Sequence, residues 1–187
     1  MSLVFSAIAS LDGYTADTTG SFDWAAPDEE VHSTVNARER GVSTYLYGRR
    51  MFETMRVWQD IGAGDEPAVM REYADIWRAA DKVVYSSTLT GVTTPRTRVE
   101  SAFDPAAVRA LVDSAPGDVS IGGPTLAAEA FRAGLVDEVT LLLVPVSVGG
   151  GTPALPTDLM LRLELREEYT FASGVVMVHY RVIAPEA

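Results

Sequence analysis

Short apolar runs alternate with stretches of helical spacing along most of this chain. Residues 3–9 read as a first strand, broken at Ser10-Leu11-Asp12-Gly13-Tyr14 by the Asp-Gly turn signal. A polar loop follows through residue 24. Proline at the start and acids Asp28, Glu29 and Glu30 in the first turn predict a helix over 27–40, ended by Gly41. Residues 43–47 form a short strand, and 51–55 a helical piece. Residues 66–80 place Val69, Tyr73, Ile76, Trp77 and Ala80 on one stripe of a helix. Strands are expected at 82–86, 98–101, 118–121 and 139–144. Helices are expected from Asp104-Pro105 to about residue 114, and from Pro124 to 133, where Gly134 caps the end. Residues 161–183 read as two antiparallel strands joined at Ala172-Ser173-Gly174. Strands alternating with helices predict an α/β fold with a largely parallel sheet.

Three strand ends share one design. They are Tyr47-Gly48-Arg49-Arg50, Tyr85-Ser86-Ser87-Thr88 and Ile121-Gly122-Gly123-Pro124-Thr125. In a parallel sheet such ends lie on one edge, where ligands bind. A helix N-terminus offers free N–H groups and a positive dipole to an anion. Arg49 and Arg50 can grip a terminal phosphate, and Ser87 and Thr88 can donate hydroxyls. Together the three junctions predict a dinucleotide cradle. Each one, taken alone, also reads as an ordinary capped turn.

Composition narrows the chemistry. The chain of 187 residues has 15 Lys and Arg against 26 Asp and Glu, a net charge of −11. Such a surface repels nucleic-acid phosphates and anionic lipid. Cysteine is absent, which excludes disulfides, thiolate metal sites and a cysteine nucleophile. The two histidines, His32 and His179, are far apart in sequence and read as core or surface residues. No apolar run reaches membrane-spanning length, and the N-terminal residues have no signal-like pattern. The expected location is the cytoplasm. Catalysis is left to carboxylates, hydroxyls, arginines or a borrowed cofactor.

Several features compete for the active site. Asp12 follows the first strand directly, as either a proton donor, a substrate anchor or a turn residue. Tyr14 and Trp24 lie in flanking loops, where they can stack on a flat ring or simply pack. Glu29 and Glu30 decorate a helix, and Asp137-Glu138 a turn. The run from Gly149 to Ala154 matches a dinucleotide fingerprint literally, but Pro153 and Pro156 forbid the helix that fingerprint needs. It reads as a flexible turn. Gly62-Ala63-Gly64 lacks a third glycine. Ser86, Ser87 and Thr125 lack the nearby base of a hydrolase.

Five segments in order carry a resemblance: residues 10–14, Gly48-Arg49-Arg50-Met51-Phe52-Glu53, Ser86-Ser87-Thr88-Leu89, Ile121-Gly122-Gly123-Pro124 and Ala133-Gly134-Leu135-Val136-Asp137-Glu138. The chain resembles the dihydrofolate reductase-like superfamily, in particular the branch named for the C-terminal reductase domain of the bifunctional riboflavin-biosynthesis deaminase-reductase. The likeness runs from about residue 3 to residue 183. It implies one domain over 1–187, with a mixed, mostly parallel sheet, flanking helices and a C-terminal antiparallel hairpin.

The resemblance also implies NADPH as hydride donor. The adenosine 2′-phosphate would lie near Arg49, Arg50 and Ser87, with Gly48, Ser86 and Thr88 beside it. The pyrophosphate would lie near Ile121, Gly122, Gly123, Pro124, Thr125 and Leu126, and the nicotinamide near Ala7 and Asp12. Asp12, Tyr14 and Trp24 would face a reducible heterocycle or ribosylamino-pyrimidine, as in 5-amino-6-(5-phosphoribosylamino)uracil reduction. With no cysteine in these residues, the zinc deaminase half is not expected among them. A pterin reductase of other specificity and a non-catalytic nucleotide-binding module are the competing readings. The branch further implies a homodimer, for which residues 139–148 are the candidate pairing segment.

Overall fold

A computed structural model describes residues 1–62 and 64–183; Ala63 of the Gly62-Ala63-Gly64 turn and residues 184–187 lie outside it. The parallel core is built from β1 (Leu3–Ser10), β3 (Val42–Gly48), β4 (Asp81–Tyr85), β5 (Thr97–Glu100), β6 (Asp118–Gly122) and β7 (Glu138–Val144). The C-terminal hairpin is β9 (Arg162–Thr170) and β10 (Val176–Ile183). Together they form an eight-stranded sheet in the order β5-β4-β3-β6-β1-β7-β10-β9. β10 runs antiparallel to both β7 and β9, and the other pairs are parallel. The sheet is thus mixed and mostly parallel, as expected. Two short strands, β2 (Tyr14–Ala16) and β8 (Thr152–Pro153), pair separately.

The helices divide between the two faces. α1 (Glu29–Glu39), α2 (Arg49–Met55) and α3 (Ala68–Ala79) cover one face, against Tyr45, Tyr47, Val84, Leu142 and Met177. α4 (Pro105–Ser114) and α5 (Pro124–Arg132) cover the other, against Leu3, Phe5, Leu46, Val119, Ile121 and Val139. Strand period explains the split: Leu3 and Phe5 point to one side, Val4 and Ser6 to the other.

Three local details depart from the sequence expectation. α1 starts at Glu29 because the Asp28 carboxylate caps it, accepting from the Val31 N–H at 2.9 Å. α2 starts at Arg49, so both arginines sit in a helical first turn with no acid to match the dipole. β7 is bonded to β1 on one side and β10 on the other. That strand therefore has no free edge, and the expectation that it pairs across a dimer is corrected. The strands with a free edge are β5 and β9. No helix among the described residues is long and apolar enough to cross a membrane.

α3 shows how the fold closes its helix ends. Tyr73, Ala74 and Trp77 are buried, as the stripe predicts. At the C-terminus the buried Lys82 donates to the carbonyls of Trp77 at 2.9 Å and Ala80 at 3.0 Å. Its Nζ also lies 4.2 Å from the Trp77 ring centroid. Burial pushes the Lys82 ammonium down to about 8. Between that value and an ordinary lysine value, the unfolded chain holds the extra proton, so stability rises with pH. Burial pushes Tyr45, Tyr47 and Tyr73 up, which reverses the trend once unfolded tyrosines ionise near pH ~10. Stability should therefore gain up to about 2 kcal/mol between pH ~8 and ~10. Urea midpoints across that window test this, and Lys82→Met should flatten the rise.

Candidate active site

The parallel strands end on one edge, and β1 and β6 are neighbours there. The helix after β1 covers one face and the helix after β6 the other, so a crevice opens between their ends. Ligands of open α/β sheets bind at such a switch point. Ser10-Leu11-Asp12 and Gly122-Gly123 flank it.

The structure brings the three predicted junctions together. Arg49 Nη1 donates to Thr88 Oγ1 at 3.1 Å, tying the end of β3 to the loop after β4. Arg49 Nε bonds Glu53 at 2.8 Å. A Cβ on Gly48 would lie 3.9 Å from Leu126 Cβ, so α5 stands directly beside α2. Arg50 is exposed and has no ion-pair partner among the described residues. Ser87 and Thr125 are also exposed. Ser86 turns inward instead, its Oγ accepting from the Leu89 N–H at 3.1 Å and the Thr88 N–H at 3.3 Å.

The glycines after β6 answer first to packing. A Cβ on Gly122 would come within 2.6 Å of the Tyr47 ring. Gly123 has φ +89° and caps α5, where no side chain accepts from the first turn. Pro124 has no N–H to offer, so Thr125 and Leu126 carry the first free donors. Ile121 is core, and Ala7 packs half-buried at the edge of the same cluster.

Asp12 is held as an acceptor. Its carboxylate takes the Gly149 N–H at 2.7 Å, the Ser147 hydroxyl at 3.0 Å and the Val148 N–H at 3.1 Å. The Ser10 hydroxyl, then these donors, hold it well below the usual carboxylate range. An ionised carboxylate surrounded by donors has no proton to deliver near neutral pH. The geometry therefore speaks against Asp12 as a proton donor and assigns it to the turn. The loop it grips is fastened at further points. Leu11 N–H bonds the Val146 carbonyl at 2.7 Å, and Gly151 lies against the end of β2.

Sequence reasoning missed a cavity of about 250 Å³ beside this crevice, on the α1 face. Ile8 of β1 and Val144 of β7 line it, with Ala26, Asp28, Ser173 and Val175. Its pieces come from four separated segments, which no local pattern joins. In sequence, Asp28 and Glu29 lie in the region of the folate reductases' acidic helix residue, but no motif singles out either one. The Val31 N–H, then the Ser173 hydroxyl, hold its carboxyl low. Trp24 sits in a one-turn 3-10 helix (Asp23–Ala25) beside this wall, half-buried, with a buried Nε1 that has no partner among the described residues. Tyr14 is half-buried in β2.

Comparison with known proteins agrees with this architecture. The RibD C-terminal domain family matches residues 1–177. The uncharacterized protein YyaP of Bacillus subtilis (strain 168) is 28% identical over 182 residues, covering 95% of this chain and 93% of its own. A protein of Shewanella sp. PV-4 named for riboflavin biosynthesis superposes with a TM-score of 0.76 at 19% identity, over 98% of this chain and all of its own. The Thermotoga maritima diaminohydroxyphosphoribosylaminopyrimidine deaminase/5-amino-6-(5-phosphoribosylamino)uracil reductase gives 0.67 at 15% identity, over 97% of this chain and 56% of its own. Dihydrofolate reductase of Enterococcus faecalis, complexed with NADP(H), gives 0.61 at 15% identity, over 97% and 96%. At these identities the solved structures establish the dihydrofolate reductase-like fold.

Proposed function

The chain belongs to the RibD C-terminal domain family, and on that premise we propose that it is an NADPH-dependent reductase. Its substrate would be a small heterocycle or ribosylamino-pyrimidine seated in the cavity beside Asp28. The observation that carries this reading is the uncapped α5 N-terminus standing beside the start of α2, whose first turn carries the unpaired Arg50. Two arginines in the first turn of α2 oppose its dipole, a local conflict that an anion between them relieves.

The residues fit the cofactor's chemistry. The Thr125 and Leu126 N–H groups would hold the pyrophosphate. Arg50 and Ser87, both exposed, would hold a 2′-phosphate, with Arg49 fixed beside them by Glu53 and Thr88. When bound, NADPH supplies the hydride. The protein positions the acceptor with Ile8 and Val144 as apolar walls and Asp28 as a fixed acceptor. Asp12 and Asp28 are both held ionised, so the reading takes the proton from solvent. A pterin-type acceptor is the alternative that Asp28 favours, because a fixed carboxylate selects a substrate with paired N–H donors.

Fluorescence titration tests the proposal. NADPH should bind, and Arg50→Ala should weaken it by roughly 10–100-fold while NADH changes little, as for a lost charge-assisted bond. Absence of NADPH binding at high micromolar concentration would overturn the reading. Equal weakening of both cofactors would remove Arg50 from the 2′-phosphate. Single-turnover oxidation of bound NADPH, run against pyrimidines and pterins, separates an enzyme from a binding module.

A further inference from the structure

The walls of the cavity beside Asp28 come from Ile8 and residues 25–31, from residues 144–145 and from residues 173–175. Each of these stretches lies inside a run without Lys or Arg, over residues 1–37, 133–161 and 167–180. All 15 cations of the chain therefore belong to other parts of the fold. Arg49, Arg50 and Arg56 sit in α2 and the 3-10 turn after it, and none of them lines the cavity. Arg38 is in the last turn of α1, bonded to Glu167, and Arg166 and Arg181 both pair with Glu164. Neither histidine lines the cavity either.

Two helix starts on this sheet edge are built in opposite ways. α5 begins with no capping side chain and no acid in its first turn. α1 begins with the Asp28 carboxylate on the Val31 N–H, and Glu29 and Glu30 fill its first turn. Acids there satisfy the helix dipole and close the start of α1 to an anion. Among the described residues, the polar side chains in the cavity wall are Asp28 and Ser173, and the Ser173 hydroxyl donates to Asp28. The remaining walls, such as Ile8, Val144 and Val175, are apolar. The volume of about 250 Å³ falls just below the ~300–1,000 Å³ of sites for drug-sized ligands. A flat ring fits. A phosphorylated sugar arm would have to leave past acids, and its phosphate would feel Asp28 within a screening length of ~8 Å.

We infer that the acceptor is a compact heterocycle without a phosphate, presenting N–H donors to Asp28, and that the phosphorylated form of such a ring is rejected. Any reaction that supplies this acceptor must hand over a phosphate-free ring. The inference rests on the reductase reading in one respect: it takes this cavity as the acceptor's seat.

6-(Ribitylamino)uracil and its 5′-phosphate form a matched pair of probes, differing in the phosphate alone. 2-Amino-4-hydroxypyrimidine is a ring without an arm. Amide chemical shifts of the full chain are followed for each, with and without NADPH. The bare ring and the phosphate-free compound should shift Ile8, Val144 and residues 173–175. The phosphate should weaken binding about tenfold or more, a penalty that shrinks in high salt. Asp28→Asn should weaken the bare ring about tenfold. Ala26→Arg, which places a cation at an exposed wall position, should recover most of the phosphate's loss and leave the bare ring unchanged. Binding of the bare ring alone would carry the result further, since the arm would then be excluded too. A phosphorylated compound that binds as well as its partner would overturn the inference. So would an unaltered difference in Ala26→Arg, or no shift from the bare ring at high millimolar concentration. Failure of the reductase reading is distinct: NADPH would then not bind or not be oxidised, while the order of the three ligands stays readable in the shifts.

Discussion

Replacing Gly151 by alanine should cost the protein about 3 kcal/mol, by the scale of a strained backbone position combined with a backbone clash. An alanine Cβ would stand 2.0 Å from the Ala16 carbonyl oxygen and 2.6 Å from the Asp17 carbonyl carbon. These are backbone atoms, so no rotamer change relieves the overlap. Gly151 also has φ +134°, which L side chains rarely adopt. The neighbour cannot retreat, because Thr152 pairs with Ala16 and Pro153 with Tyr14. The melting temperature should fall by roughly 6–12 °C for a chain of this size. Gly149→Ala is the control. It has positive φ but nothing within 4 Å of its Cβ, so its loss should be a fraction of that. Equal losses at the two positions would show that conformation, not contact, sets the cost.

A larger loss is expected from Trp77→Ala, about 3–5 kcal/mol as for other buried aromatic truncations. Trp77 is fully buried between α3 and the sheet. Its ring lies under the Lys82 ammonium, and its carbonyl accepts from it. Its Nε1 donates to Tyr47 Oη at 3.2 Å, and Tyr47 stacks on Tyr45 with centroids 5.5 Å apart. Truncation opens a cavity, strips the Tyr47 hydroxyl of its donor and exposes a buried ammonium to a void. Chemical denaturation should show the midpoint shift. Trp77→Phe should recover most of the packing and lose about 1 kcal/mol for the hydrogen bond. If Trp77→Ala cost no more than Trp77→Phe, packing would not be the dominant contribution of this residue.

The α3 stripe was legible in the sequence because Tyr73 and Trp77 are large and spaced by one turn. The Gly122-Gly123-Pro124 turn was legible for a different reason: few residues serve there. A glycine must clear the Tyr47 ring, a positive φ must follow, and Pro124 fits the first helical position. The β2–β8 ribbon was hidden. Two or three residues give no period to read, and its partners are separated by more than a hundred positions. The start of α1 is hard to place from sequence, because a polar helix offers no apolar stripe and Pro27 stands before the Asp28 cap. Asp12 shows the limit of reading a motif as chemistry. Its position after a strand suggested an acid, while its partners, Ser147 to Gly149, lie far along the chain. The family resemblance added the mixed sheet with its C-terminal hairpin, while the strand order that seats β1 between β6 and β7 was legible in neither pattern nor motif.

The stitching of the loop after β1 to the loop after β7 has a practical side. Asp12, the Leu11–Val146 bond, the β2–β8 ribbon and the Ala154 N–H bonded to the Gly13 carbonyl fasten the two at several points. Residues 11–17 and 145–154 thus behave as one cassette. Exchange of either segment alone between relatives would leave half of a lock without its key. An engineer wishing to retarget this crevice has to transplant both together.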